Sequence, residues 1–162
     1  ETVQFVGLGT ECLEASPFDL SGGQKRRAAI AGIMAMEPEV LILDEPAAGL
    51  DPLGREEILG GICSYQRKKG STVIIVSHSM EDMARYADCL VVMNQGKILM
   101  QGSCAEIFSQ PEKLSGIGLD IPQITRFMLE LKKRGVEVRT DIFTVEQARD
   151  EILRIAGGTR HA

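Results

Sequence analysis

At 162 residues, 44% hydrophobic and 4% aromatic, the chain has enough apolar material for a core of ordinary size, which excludes a disordered or fibrous segment. A net charge of -5 supplies no overall basic field, so nucleic acid is not an expected partner. No apolar run approaches the roughly 20 residues that cross a bilayer, and the N-terminus lacks the regions of a signal peptide.

The chain opens at Glu1 with "ETVQFVGLG", which reads as the tail of a helix entering a glycine turn, so a fragment or processed chain is expected. Next comes "LSGGQKRRAAIAG", Leu20 to Gly32. Ser21 with Gln24 three positions on has capping-box spacing, and Pro38 ends the apolar stretch, predicting a helix from about Gly22 to Met36. Lys25, Arg26 and Arg27 then fall in its first turn, where the helix dipole favours acids. A phosphate held by the amides of Gly22 and Gly23 would account for them; a Gly-rich turn capped by Ser21 is the plainer alternative.

"VLILDEP" (Val40 to Pro46) and "STVIIVSH" (Ser71 to His78) are apolar runs without alternation, as expected of parallel strands covered on both faces. A helix near Arg55 to Lys69 joins them. The first run ends in adjacent carboxylates at the strand's carboxyl edge, where open α/β sheets bind ligands. There Asp44 could hold Mg²⁺ through water and Glu45 could orient and deprotonate an attacking water; a solvated acidic pair in a turn fits equally. Asp51 before Pro52 reads as a helix cap or as part of a site. His78, at the end of the second strand, could donate to a terminal phosphate oxygen or be structural.

A helix from about Met80 to Tyr86 precedes "CLVVMNQGKILMQG", whose Asn94, Gln95 and Gly96 separate two apolar runs, so the sheet is expected to end in an antiparallel ribbon. Beyond it the pattern turns helical: Ala105 to Phe108, then a stripe of Ile121, Ile124, Met128 and Leu131, then "TVEQARDEILRIAGG" with Thr144 and Gln147 at capping-box spacing. The stripe is either a subunit contact or the inner face of the tail. Cys12, Cys63, Cys89 and Cys104 form no C-x-x-C pair, and only His78 and His161 could assist a metal site, so reduced thiols are expected.

Taken in order, "LSGGQ", "VLILDE", "AGLD" and "SH" resemble the signature, Walker B, D-loop and H-loop of ATP-binding-cassette (ABC) ATPases, over about Pro17 to Gly102. "SPFDLSGGQKRRAAIAGIMAMEPEVLILDEPAAGLDP", "VIIVSHSMEDMARYADCLVVMNQGKI" and "LDIPQITRFMLELKKRG" are similar to the ATPase subunits of energy-coupling-factor (ECF) importers of vitamins and transition-metal ions in prokaryotes. The resemblance implies an α/β fold, the C-terminal part of a P-loop NTPase: parallel strands flanked by helices, a terminal antiparallel hairpin and a small helical tail. It divides the chain into 1–108, the nucleotide-binding portion, and 109–162, the tail.

ATP and Mg²⁺ are then the implied cofactors. Ser21, Gly22, Gly23 and Gln24 would contact the γ-phosphate of ATP held by the opposite subunit of a head-to-tail dimer. Asp44 would serve Mg²⁺, Glu45 would be the general base, Asp51 would touch the partner, and His78 would contact the γ-phosphate. The implied partners are a second ABC ATPase subunit and a transmembrane coupling protein, at the cytoplasmic face of the membrane. Three departures stand out: Ala47 occupies a position where the family often has Thr, the glutamine-bearing loop upstream of the signature is absent because Gln4 lies in the wrong context, and no G-x-x-x-x-G-K-[ST] loop occurs. That loop is therefore expected N-terminal to Glu1, and the isolated chain is expected to be inactive. The alternatives are a non-transport ABC ATPase and a fragment serving only as a dimerisation or binding module.

Overall fold

The structure, a computed structural model, describes residues 2–158; His161 lies outside them. The chain divides into two compact units, Glu1–Ser77 and His78–Ala162.

The first unit contains α1 (Thr2–Phe5), a 3-10 turn (Thr10–Leu13), α2 (Gly22–Met34), β1 (Val40–Asp44), α3 (Pro52–Lys69) and β2 (Thr72–Val76). β1 and β2 are directly paired and parallel, from Val40 opposite Thr72 to Asp44 opposite Val76. On α3, Ile58, Leu59, Ile62 and Tyr65 recur at helical spacing and are buried, as are Leu41 and Leu43 on one face of β1. The other face is open: Val40, Ile42, Ile74 and Val76 are 46–65% exposed. The expectation of two covered faces is thus corrected for this chain, because the described helices bury one side of a strand pair that is apolar on both.

Element ends follow local chemistry. α2 stops at Met34, two residues short of the expected Met36, because Glu37 takes a left-handed φ of 49° immediately before Pro38; the residue preceding a proline is driven out of the helical region. The buried Tyr65 hydroxyl donates to the Met34 carbonyl at 3.1 Å, satisfying one of that helix's terminal acceptors. α3 begins at Pro52 with Asp51 as its cap, one of the two readings of that residue, and ends at Lys69, with Gly70 at φ 69° as its C-cap.

In the second unit are α4 (Met80–Tyr86), β3 (Leu90–Asn94), β4 (Lys97–Gly102), α5 (Cys104–Phe108), α6 (Pro111–Ser115), α7 (Gln123–Lys133) and α8 (Val145–Gly158). Positive φ at Gln95 (49°) and Gly96 (74°) makes the two-residue turn that a right-twisted hairpin requires. Among the described residues the ribbon pairs only within itself, as a separate two-stranded sheet, which corrects the expectation that it ends the parallel one.

The α7 stripe faces inward. Met128 joins Val138, Ile142 and Ala148 in one buried cluster against which Ile124 and Leu131 pack, and Ile121 is also buried. Thr144 and Gln147 form the expected reciprocal cap of α8, with both bonds at 3.3 Å.

Candidate functional site: the glycine turn and the strand edge

Ser21 sits in extended backbone ahead of α2, and its Oγ accepts from the Gln24 backbone N–H at 3.2 Å. Gln24 returns the bond through Oε1, which accepts from the Ser21 N–H at 2.9 Å. This reciprocal cap fixes the turn and leaves Ser21 and Gly22 exposed at the positive pole of a 13-residue helix. A Cβ on Gly22 would meet no heavy atom within 4 Å, so nothing described obstructs approach to its backbone.

Two of the three cations, Arg26 and Arg27, have a different explanation from the one their position suggests. Arg26 donates through Nη1 to the carbonyl of Ala48. Arg27 pairs with Glu57 at 2.7 Å and donates to the carbonyls of Val6 and Gly7 at 3.2 and 3.1 Å. Protein acceptors therefore serve both guanidinium groups, and a phosphate is not needed to account for them.

At the carboxyl edge of the parallel pair, Asp44 is exposed and Glu45 half-buried. The Glu45 backbone is left-handed, with φ 46°, and its N–H donates to the Val76 carbonyl at 2.8 Å. The Ser77 hydroxyl lies 3.5 Å from Glu45 Oε2, at the limit of a hydrogen bond that it would donate. Asp51 is both exposed and structural, its Oδ1 accepting from the Gly54 N–H at 2.9 Å as the cap of α3. His78 is exposed and opens the second unit.

The structure thus brings Asp44 and Glu45 to the strand edge beside Ser77, and sets the glycine turn against the loop leading to Asp51. Sequence reasoning missed Ser77, and it marked Arg26 and Arg27 without finding the acceptors that hold them. Ser77 was open to discovery, since pairing "LILDE" with "IIVSH" in parallel register sets residues 45 and 77 side by side. Among the described residues no group of three His, Cys, Asp or Glu side chains could hold a metal. The exposed hard oxygens of Asp44 do fit Mg²⁺, which keeps several waters and binds through one or two carboxylates together with substrate phosphates.

A protein-family profile described as "AAA domain, putative AbiEii toxin, Type IV TA system" matches residues 13–83. CbiO1 from Clostridium perfringens, part of the ABC transporter complex cbiONQ, superposes with a TM-score of 0.61 at 38% identity, covering 79% of this chain and 51% of that one. An ATP-binding cassette dimer in a post-hydrolysis state, bound to ADP and phosphate, gives 0.57 at 26% identity over 63% of this chain and 44% of that one. With the motif order and the strand-edge carboxylates, these findings place the chain in the ABC ATPase family.

Within that family it is similar to energy-coupling factor transporter ATP-binding proteins named EcfA2. The protein of Caldanaerobacter subterraneus subsp. tengcongensis is 52% identical over 161 residues, 99% of this chain and 56% of the relative. That of Clostridium perfringens is 53% identical over 156 residues, 96% of this chain and 55% of the relative. The chain spans about half the length of these relatives and matches their C-terminal region.

Proposed function

We propose that the chain is the signature-bearing part of an ATP-hydrolysing subunit that drives an ECF-type importer. The observation that carries this reading is the strand edge: Asp44 exposed, Glu45 held beside Ser77, and the capped glycine turn open to an anion on the same unit. Phosphoryl transfer to water needs little covalent help from a protein and depends on positioning and charge.

Glu45 orients the attacking water and accepts its proton. Asp44 would hold Mg²⁺ through a water; the ion, when bound, would offset negative charge on the phosphates. The exposed His78 donates to a γ-phosphate oxygen. Amides at Gly22 and Gly23, the Ser21 hydroxyl and Gln24 face the γ-phosphate of ATP bound by the opposite subunit, and Asp51 meets that subunit. The phosphate-cradling loop comes from the rest of the full-length protein, so the chain alone turns over no ATP. The nucleotide-binding portion is 1–108 and the tail 109–162.

The partners on this reading are a second ABC ATPase subunit, the same or a related chain, and a transmembrane coupling protein at the cytoplasmic face. No helix of the described residues is long and apolar enough to cross a membrane; on this reading the coupling protein supplies the membrane contact. The cargo is a vitamin or transition-metal ion, selected by a separate membrane component. Burial of the α7 stripe inside the tail counts against that stripe as a dimer contact.

The test is Glu45→Gln in the full-length protein. Hydrolysis should fall by about two to four orders of magnitude while Mg-ATP still binds, since only the proton acceptor is lost. Unchanged turnover would remove Glu45 from the mechanism.

A further inference from the structure

The first turn of α2 meets the segment leading into α3 at three points. Arg26 Nη1 donates to the Ala48 carbonyl. Gly23 lies against Leu50, so that a Cβ there would sit 3.1 Å from Leu50 Cδ2. Arg27 reaches the cap itself: a Cβ on Gly54 would fall 2.8 Å from Arg27 Nη2 and 2.6 Å from Asp51 Oδ1. The Arg27 side chain is 13% exposed and is tied to Glu57, three residues beyond Gly54.

Cations at a helix N-terminus oppose the helix dipole, and charge-assisted bonds to carbonyls and a carboxylate offset this. The loop's own backbone bonds, Ala48 N–H to the Glu45 carbonyl and Leu50 N–H to the Ala47 carbonyl, close within residues 45–50. They do not fix it to α2. The Arg26 bond and the Gly23–Leu50 contact do.

We propose that Arg26 and Arg27 are positioning residues that fasten the loop carrying Asp51 to the glycine turn, so that both meet the neighbouring subunit as one rigid piece. The inference rests on the function proposed above, in which the turn and Asp51 act across the same interface. Neither arginine touches substrate; each acts through a main-chain carbonyl or a capped helix start. Arg26 is the residue to test, because Arg27 is half-buried between three segments and its loss risks the fold.

Two measurements separate this proposal from the function it rests on. In the chain itself, Arg26→Ala should speed hydrogen exchange of the amides of residues 47–51 by about tenfold with an unchanged unfolding midpoint, because only a local tie is lost. Arg26→Lys, which retains one donor without the planar fork, should recover part of the protection. In the full-length protein, Arg26→Ala should lower kcat several-fold and leave KM for ATP in place. That loss should be non-additive with Asp51→Ser, which keeps a cap and removes the carboxylate.

Unaltered exchange would overturn the fastening. Faster exchange with unaltered kcat, or strictly additive losses, would overturn its role in catalysis. A wild-type full-length protein that hydrolyses no ATP would sink the function reading, while the exchange result would still decide whether the arginines hold the loop.

Discussion

Glu45 holds its carboxylate at the strand edge with a backbone few non-glycine residues adopt. A left-handed φ costs on the order of 1 kcal/mol, and the Val76 carbonyl on one side and the Ala48 N–H on the other keep it there. The residue type was legible from "VLILDE", but its conformation was not, because that depends on hydrogen bonds to a strand about 30 residues away in sequence and to the following turn. The arginines show the same limit: dipole reasoning marked them as anomalous without revealing which acceptors the tertiary fold supplies. Glu151 is the clearest titratable case. It is 5% exposed and bonds Arg154 at 2.7 and 2.8 Å and the Arg139 N–H at 2.9 Å. These bonds, Arg154 first, pull its pKa from the ordinary 4.5 down to about 2. Because the folded value is depressed, its contribution to stability is full above pH 4.5 and lost as pH falls toward 2. In urea titrations the stability gap between wild type and Glu151→Gln should narrow across that window; a gap constant with pH would contradict the assignment.

Among the elements, α1 owes its seat to one missing methyl group. A Cβ on Gly61 would lie 1.4 Å from the Phe5 carbonyl oxygen, so the end of α1 rests directly on the backbone of α3. Beside that contact, the Phe5 ring meets Tyr65 edge-on at 5.7 Å. Alanine normally stabilises a helix interior over glycine by about 1 kcal/mol, and the two neighbouring glycines of α3 should therefore respond with opposite signs. Gly60→Ala, with open space around it, should hold or raise the urea midpoint. Gly61→Ala should lower stability by about 1–3 kcal/mol through overpacking, and a rise there would show that α1 does not dock on α3. Capping boxes, the hairpin turn and the α7 stripe were all readable in advance, since each is specified within a few residues. The contact at Gly61 was not, because nothing local distinguishes it from Gly60.

At the scale of the molecule, unbroken apolar runs foretold parallel strands, yet only one face of the pair is covered by the described residues, and Val40, Ile42, Ile74 and Val76 line the other. A run apolar at every position says that both faces are suited to burial, not what covers them. The absence of G-x-x-x-x-G-K-[ST] was equally plain in the sequence and makes a direct prediction. Isothermal titration of the chain with Mg-ATP should show no micromolar binding, because the amides and lysine that normally cradle the phosphates are not in these residues. Micromolar binding would mean that the chain holds nucleotide by some other route.

The central claim is that the capped glycine turn serves the γ-phosphate and not only its own helix. Ser21→Asp in the full-length protein tests it most directly, since aspartate caps a helix as well as serine but sets a negative charge where the phosphate must sit. ATP turnover should fall by about a hundredfold or more with thermal stability and Mg-ATP binding retained. Turnover equal to wild type in that variant would contradict the claim and leave the turn a helix cap alone.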